Sequence, residues 1–180
     1  MTSLDTARLH LRVFRNEDLD DLARLLSDPD VMKYVSNGQP ISREEADIAL
    51  QSIVRHWREH GFGRWAIFDR ATNRFVGFGG LRSLMGIPEV VYHLAKEYWG
   101  RGLATELANA SLQFGFETHS FDRIVAVAKP LNAASIHVME KIGMTYEMHT
   151  SYYDIEVIQY QIVRDQFQSQ PDRYVLHPDA

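Results

Sequence analysis

Tyr98-Trp99-Gly100-Arg101-Gly102-Leu103-Ala104-Thr105 is the stretch on which the fold of this 180-residue chain turns. It follows Glu89-Val90-Val91-Tyr92-His93-Leu94, a β-branched and aromatic run that reads as a strand, and it opens a helical pattern from Gly102 to about Glu117. Two glycines one residue apart let the main chain approach a ligand closely. The first N–H groups of the helix behind them lack partners and carry the positive end of its dipole, so the turn suits an anion, a diphosphate above all. The spacing departs from Gly-x-Gly-x-x-Gly, and no Gly-Lys-Ser/Thr follows, which disfavours dinucleotides and nucleoside triphosphates. Taken alone, Gly-x-Gly is also an ordinary strand-to-helix turn. Its surroundings decide.

Upstream, Arg8 to Phe14 alternates polar and apolar residues as a half-buried strand does, and a polar helical segment follows it to about Ser27-Asp28-Pro29. Ser42-Arg43-Glu44-Glu45 is a capping box, after which Ala46, Leu50, Ile53 and Trp57 recur at helical spacing until Gly61. Arg64 to Arg70 and Phe75 to Leu84 read as an antiparallel pair joined by Ala71-Thr72-Asn73-Arg74, and Gly86-Ile87-Pro88 as a second turn. In the helix after Gly102, Leu103, Leu107, Ala110 and Phe114 form one stripe, and Ala104, Ala108, Ser111 and Gly115 form a small-residue stripe beside it, suited to close packing on a sheet. Arg123 to Ala128 is a compact strand, Asn132 to Ile142 a short helix closed by Gly143, and Tyr152 to Val163 contains a last strand. Strands dominate early and alternate with helices later: the class is mixed α/β. One domain is expected over residues 1–164, followed by a polar C-terminal tail, 165–180, loosely held around Pro171 and Pro178.

Whole-chain properties narrow the function. A net charge of −5 gives no broad cationic surface, so nucleic acid is not expected as a partner. No apolar run reaches the ~20 residues of a membrane-spanning helix, and Met1 to Asp5 lacks the pattern of a signal peptide, so a cytoplasmic protein with no membrane contact is expected. The absence of Cys excludes disulfides, thiolate catalysis and Cys-ligated zinc.

The order strand, glycine turn, small-striped helix, strand and Asn-x-x-Ser helix resembles the GNAT superfamily of Gcn5-related N-acetyltransferases, whose phosphate loop reads Arg/Gln-x-x-Gly-x-Gly/Ala. Here Trp99 takes the Arg/Gln place, in a Tyr-Trp-Gly-Lys/Arg-Gly-x-Ala form that is similar to the ribosomal-protein alanine N-acetyltransferase-like branch. The resemblance extends to Glu89-Val90-Val91-Tyr92-His93-Leu94, to Asn132-Ala133-Ala134-Ser135 with Glu140-Lys141-Ile142-Gly143-Met144, and to the strand around Tyr160. It implies a mostly antiparallel central sheet flanked by helices, with a bulged strand opening onto a cofactor cleft. It implies acetyl-coenzyme A as cosubstrate and direct transfer of acetyl to a primary amine, either a protein N-terminus or a small molecule, without a covalent enzyme intermediate. It also implies that Tyr92, His93 and Leu94 hold the pantetheine arm through their main chain. Gly100, Arg101, Gly102, Leu103, Ala104 and Thr105 would hold the pyrophosphate, and Asn132 would contact the arm.

Acyl transfer from a thioester to an amine needs a neutral nucleophile, a donor for the carbonyl oxygen and help for the departing thiolate. By the resemblance the oxygen's donor is the main-chain N–H near Leu94. Many members carry a Tyr for the thiolate where this chain has Met139, and an acid on the preceding strand where it has Val127. Ser135, whose hydroxyl can donate to sulfur, is expected in the first role and otherwise reads as a first-turn capping hydroxyl. Glu89 is the candidate base, otherwise a solvated strand-end carboxylate, with His93 and Tyr92 in reserve. An α-amine with a pKa of about 8 needs far less help than a Lys at about 10.4.

Two other functions compete. A non-catalytic coenzyme A-binding module would keep the cradle without the chemistry, and Met139 and Val127 favour it. His56-Trp57-Arg58-Glu59-His60 matches His-x-x-Glu-His, a zinc-peptidase pattern, with His56, Glu59 and His60 as the chemistry. It falls on the last helical turn before Gly61, where cationic side chains suit the dipole, so no metal is expected. Homodimer association through the last strands or the tail fits the sequence, which sets no stoichiometry. Trp57, Phe62, Trp65 and Tyr34 suit the lining of an acceptor cleft near the first two helices, but such aromatics are more often core, and no role is assigned to them.

Overall fold

The computed structural model describes residues 2–168 and 174–177. In chain order the elements are β1 (Ser3–Thr6), β2 (Leu9–Arg12), α1 (Leu19–Leu26), α2 (Pro29–Met32), α3 (Arg43–His60), β3 (Arg64–Asp69), β4 (Phe75–Leu84), β5 (Ile87–Leu94), α4 (Leu103–Glu117), β6 (Arg123–Ala128), α5 (Ala133–Lys141), β7 (Thr145–Tyr152), β8 (Ile155–Val163) and β9 (Tyr174–His177). The strands form one sheet in the order β7-β8-β6-β5-β4-β3-β2-β1-β9. Every described pairing is antiparallel except that of β5 with β6.

Local chemistry explains the helices. The Ser42 hydroxyl accepts from the Glu45 N–H at 3.2 Å while Glu45 Oε2 accepts from the Ser42 N–H at 2.7 Å, so α3 begins on its capping box. It ends at Gly61, whose φ of 72° lets its N–H turn back to the Trp57 carbonyl. Helix α4 lies on the sheet along both of its stripes: Leu107, Ala108, Ala110, Ser111, Phe114 and Gly115 are buried. Buried Ser111 donates to the Leu107 carbonyl at 2.8 Å, which satisfies its hydroxyl inside the core.

Three strands were not legible. The stretch read as one strand from Arg8 to Phe14 is shorter, Leu9–Arg12, and pairs with β1, where Leu4 and Thr6 alone face the core. Strand β7 carries no apolar alternation because most of its side chains face solvent, and pairing to β8, with Tyr152 bonded to Gln159, holds it. In the expected tail, Tyr174–His177 pairs with β1 from Ser3↔His177 to Thr6↔Tyr174; Pro171 and Pro178 lie outside the described residues. The second turn is also tighter than expected, since Ile87 and Pro88 already pair with Leu84 and Ser83. Among the described residues no helix is long and apolar enough to cross a membrane.

The close approach of α4 predicts an asymmetry between two glycines. A Cβ on Gly79 would stand 2.5 Å from the Val91 carbonyl oxygen and 2.7 Å from Leu107 Cδ2, and main chain cannot turn aside. Gly79→Ala is expected to lower unfolding stability by about 3 kcal/mol. Gly115→Ala meets side chains instead, the methyl ends of Ile124 and Leu81 at 2.7 and 2.9 Å and the Phe121 ring at 3.3 Å, and gains about 1 kcal/mol of helix propensity, so urea unfolding should show a smaller loss.

Candidate active site

The sheet parts at β5. Against β4 this strand runs in unbroken register from Gly77↔Leu94 to Leu84↔Ile87, whereas against β6 Glu89↔Val125 is the single pairing among the described residues. The expected bulge is therefore absent between β4 and β5; register shifts occur instead at Ile67/Phe68 and at Tyr146/Met148. The opening arises because β5 and β6 diverge beyond Glu89. Alternation along β5 divides its side chains between two faces: Val90, Tyr92 and Leu94 on the side of α4 and α5, Glu89, Val91 and His93 on the other.

At the end of β5 the loop turns over the gap. The Trp99 indole N–H donates to the Leu94 carbonyl at 2.7 Å, tying the loop to the strand end. Gly100 and Gly102 both sit in the left-handed region, with φ of 72° and 76°, and Gly102 caps α4 without a side-chain hydrogen bond. A Cβ on Gly100 would meet nothing within 4 Å, so the space beside the turn at Gly100 is open. The Arg101 guanidinium lies 5.5 Å over the Tyr98 ring. Arg8, which the sequence did not single out, braces the loop from behind: one guanidinium nitrogen donates to the Arg101 carbonyl at 2.8 Å, and Nε donates to Glu106 Oε2 at 2.7 Å. Glu106, in the first turn of α4, is thus answered by Arg8 and by the Thr6 hydroxyl at 2.6 Å, and its charge is kept from opposing an anion at the helix end.

On the α5 side, Asn132 caps the helix by accepting from the Ser135 N–H at 3.2 Å, so the cap is Asn132 and the Ser135 hydroxyl is left for other work. That hydroxyl lies 3.0 Å from the Tyr92 hydroxyl, which is also 3.0 Å from the Ser135 carbonyl. A carbonyl only accepts, so the phenol proton goes there and the Ser135 proton points at the phenol oxygen. Burial pushes the Tyr92 phenol up to about 12, which keeps it protonated. Met139 is fully buried in the core and out of reach of any ligand. Val127 is half-buried on β6.

On the opposite face, Glu89 is 1% exposed and pairs with Arg82 Nε across β4 and β5 at 2.5 Å. Burial raises its pKa above the usual carboxylate range, opposed by the Arg82 and Arg64 charges. It is no solvated strand end. His93 stacks on Phe78 at 4.6 Å; burial, with Arg82 and Arg64 adding, drives its pKa down to about 3, so it is neutral and a feeble base. The zinc-peptidase pattern is dismantled by the main chain: His56 Nε2 accepts from the Ser83 N–H at 3.3 Å, which leaves Nδ1 to donate to the Phe62 carbonyl at 2.9 Å. Neither nitrogen has a lone pair to spare for a metal.

The sheet parts with a glycine turn at the mouth of the gap, and the chain is an acyltransferase: residues 8–145 match the model of the acetyltransferase (GNAT) domain. It belongs to the GNAT family of acetyltransferases. It is 36% identical to the uncharacterized protein YkkB of Bacillus subtilis (strain 168) over 150 residues, 81% of this chain and 86% of that protein. The crystal structure of a GNAT-family acetyltransferase from Bacillus anthracis matches with a TM-score of 0.80 at 26% identity, over 91% of this chain and 99% of that one. Spermidine N-acetyltransferase from Vibrio cholerae, solved in complex with CoA and spermine, shares the fold with a TM-score of 0.73 at 21% identity, over 88% and 96% of the two chains. Ribosomal-protein acetyltransferases are also among the structural neighbours, at 18% identity.

Tyr92 and Ser135 form a unit that spans β5 and α5, and their substitutions should not add. Tyr92→Phe and Ser135→Ala are each expected to cost about 1 kcal/mol in urea unfolding. The double variant should cost measurably less than the sum of the two.

Proposed function

We propose that this chain uses acetyl-coenzyme A to acetylate a primary amine by direct attack, with no covalent enzyme intermediate. The observation that carries the reading is the gap between β5 and β6 with the glycine turn at its mouth. The residues suit a diphosphate: the turn is open where Gly100 lacks a side chain, and α4 offers its uncapped first N–H groups. In this reading Gly100 to Thr105 hold the pyrophosphate. The main chain of Tyr92 to Leu94, with Asn132 and Ser135, lines the arm.

The main-chain amide of Leu94 polarises the thioester carbonyl. The pairing of His93 and Leu94 with Phe78 and Gly77 holds that peptide, and the Trp99 indole on the Leu94 carbonyl holds the one after it, so the donor is set in advance of the reaction. The Ser135 hydroxyl turns from Tyr92 toward the departing sulfur and donates to it, while the Tyr92 proton stays on the Ser135 carbonyl and holds the residue in position. Glu89, on the far face, takes a proton from the incoming amine. Its burial suits it to that task, because a carboxylate with a raised pKa is a stronger base than one in water.

Thiol release from acetyl-coenzyme A, screened against N-terminal peptides and small amines, tests the whole reading. Turnover with at least one amine is expected. Binding of acetyl-coenzyme A without thiol release from any of them would instead make the chain a coenzyme A-binding module. Gly100→Val fills the open side of the turn, so it should raise KM for acetyl-coenzyme A at least about tenfold. For the wild type, kcat/KM should rise with pH through the raised pKa of Glu89 as its carboxylate forms, and Glu89→Gln should lose that limb and at least about tenfold of the rate. A Glu89→Gln profile identical to the wild type would remove Glu89 as base.

A further inference from the structure

On the face of the sheet turned away from α4 and α5, the patch where β3, β4 and β5 meet carries two positive charges, Arg64 and Arg82, and one negative, Glu89. Register gathers it: Arg64 of β3 sits opposite Gly80 of β4, Gly80 opposite Val91 of β5, and one row further Arg82 stands opposite Glu89. Arg82 Nε donates to Glu89 Oε2. Among the described residues the Arg64 guanidinium has no hydrogen-bond or ion-pair partner, although burial and the neighbouring Arg82 press its pKa down to about 10, opposed only by Glu89. His93 and His56, whose pKa values are both lowered by burial, add no charge of their own near neutral pH. Two guanidiniums thus share one carboxylate, and a desolvated cation without a counter-ion is costly to hold.

This is the face from which an amine would approach. The glycine turn and the Tyr92–Ser135 pair lie on the α4 and α5 side, so in the acetyl-transfer reading the acyl group reaches the acceptor through the gap that opens beyond Glu89. Whatever presents its nitrogen to Glu89 comes within reach of Arg64. A polyamine would bring further positive charge to two guanidiniums, and a neutral N-terminus would leave Arg64 as it is.

We propose that the acceptor is a free amino acid, its carboxylate seated on Arg64 and its amine turned toward Glu89. The inference rests on the acetyl-transfer reading above and adds the substrate class. Arg82 is already engaged by Glu89, which leaves Arg64 as the cation available to the ligand, and a planar guanidinium matches a carboxylate with two parallel hydrogen bonds.

Matched acceptors test it: amino acids against the amines left when their carboxyl group is removed, with spermine and a peptide of neutral N-terminal residues alongside, in the thiol-release assay with the full chain. The amino acids are expected to be turned over with kcat/KM at least about tenfold above their decarboxylated counterparts, as one charge-assisted pair supplies. Arg64→Gln should abolish that preference by raising KM for amino acids while leaving KM for acetyl-coenzyme A in place, and Arg64→Lys should restore part of it. Equal or better turnover of the decarboxylated amines, spermine or the neutral peptide overturns the inference, as does an Arg64→Gln variant that keeps the preference. Acetylation confined to those other amines would leave the acetyl-transfer reading standing. Silence with every amine would remove both.

Discussion

Two strands that pair at one residue and then separate leave main-chain groups on both lips of the gap, and such groups demand partners. The parting of β5 from β6 beyond Glu89↔Val125 is the constraint on which the other features depend. It persists because each lip is held from its outer side. Strand β5 pairs with β4 in unbroken register, and β6 pairs with β8 from Arg123↔Val163 to Ala128↔Ile158. The gap is therefore a rigid opening, and an extended arm laid along it can take up hydrogen bonds that a strand would otherwise make. The Tyr92 hydroxyl, reaching Ser135 on α5, adds a tie across the gap on the side of α4 and α5.

The two-residue period of β5 separates the chemistry. Residues of one parity, Tyr92 and Leu94, look toward α4 and α5, where the glycine turn lies; residues of the other, Glu89 and His93, look toward Arg82 and Phe78. In the proposed reaction the group that protects the thiolate and the group that takes the amine proton come from one strand and never compete for the same space. A one-residue slip of β5 against β4 would exchange them, and the long register with β4 guards against it.

What the sequence showed was what neighbouring residues decide. The glycine turn, the capping box at Ser42, the stripes of α4 and the short helix that begins at Asn132 are each contained within a few helical turns, and each appears in the structure. What escaped depends on register. Arg8 reaches Glu106 across 98 positions and Tyr92 reaches Ser135 across 43, and no periodicity announces either meeting. Glu89 was visible as a carboxylate on a strand, but its burial and its pairing with Arg82 follow only once β4 and β5 are aligned. The exposed strand β7 escaped for the complementary reason, since a strand that buries little leaves no alternation to read.

Met139 and Tyr92 together show why the departures from the family's usual pattern are coherent. A phenol at position 139 would need to leave the core, where Met139 is sealed from solvent, and its hydroxyl would need a partner there. This chain brings a phenol to α5 from the other lip of the gap instead, and the phenol spends its proton on the Ser135 carbonyl. With its pKa raised to about 12 it is too weak an acid to protonate a thiolate directly, so its contribution is to hold Ser135. In the proposed reaction the serine hydroxyl is a hydrogen-bond donor to sulfur, not an acid. A thiolate stabilised in this way leaves unprotonated, and an amine already neutral at attack is what such a site requires. That requirement throws the burden of proton removal onto Glu89, the one buried carboxylate on the opposite face of β5.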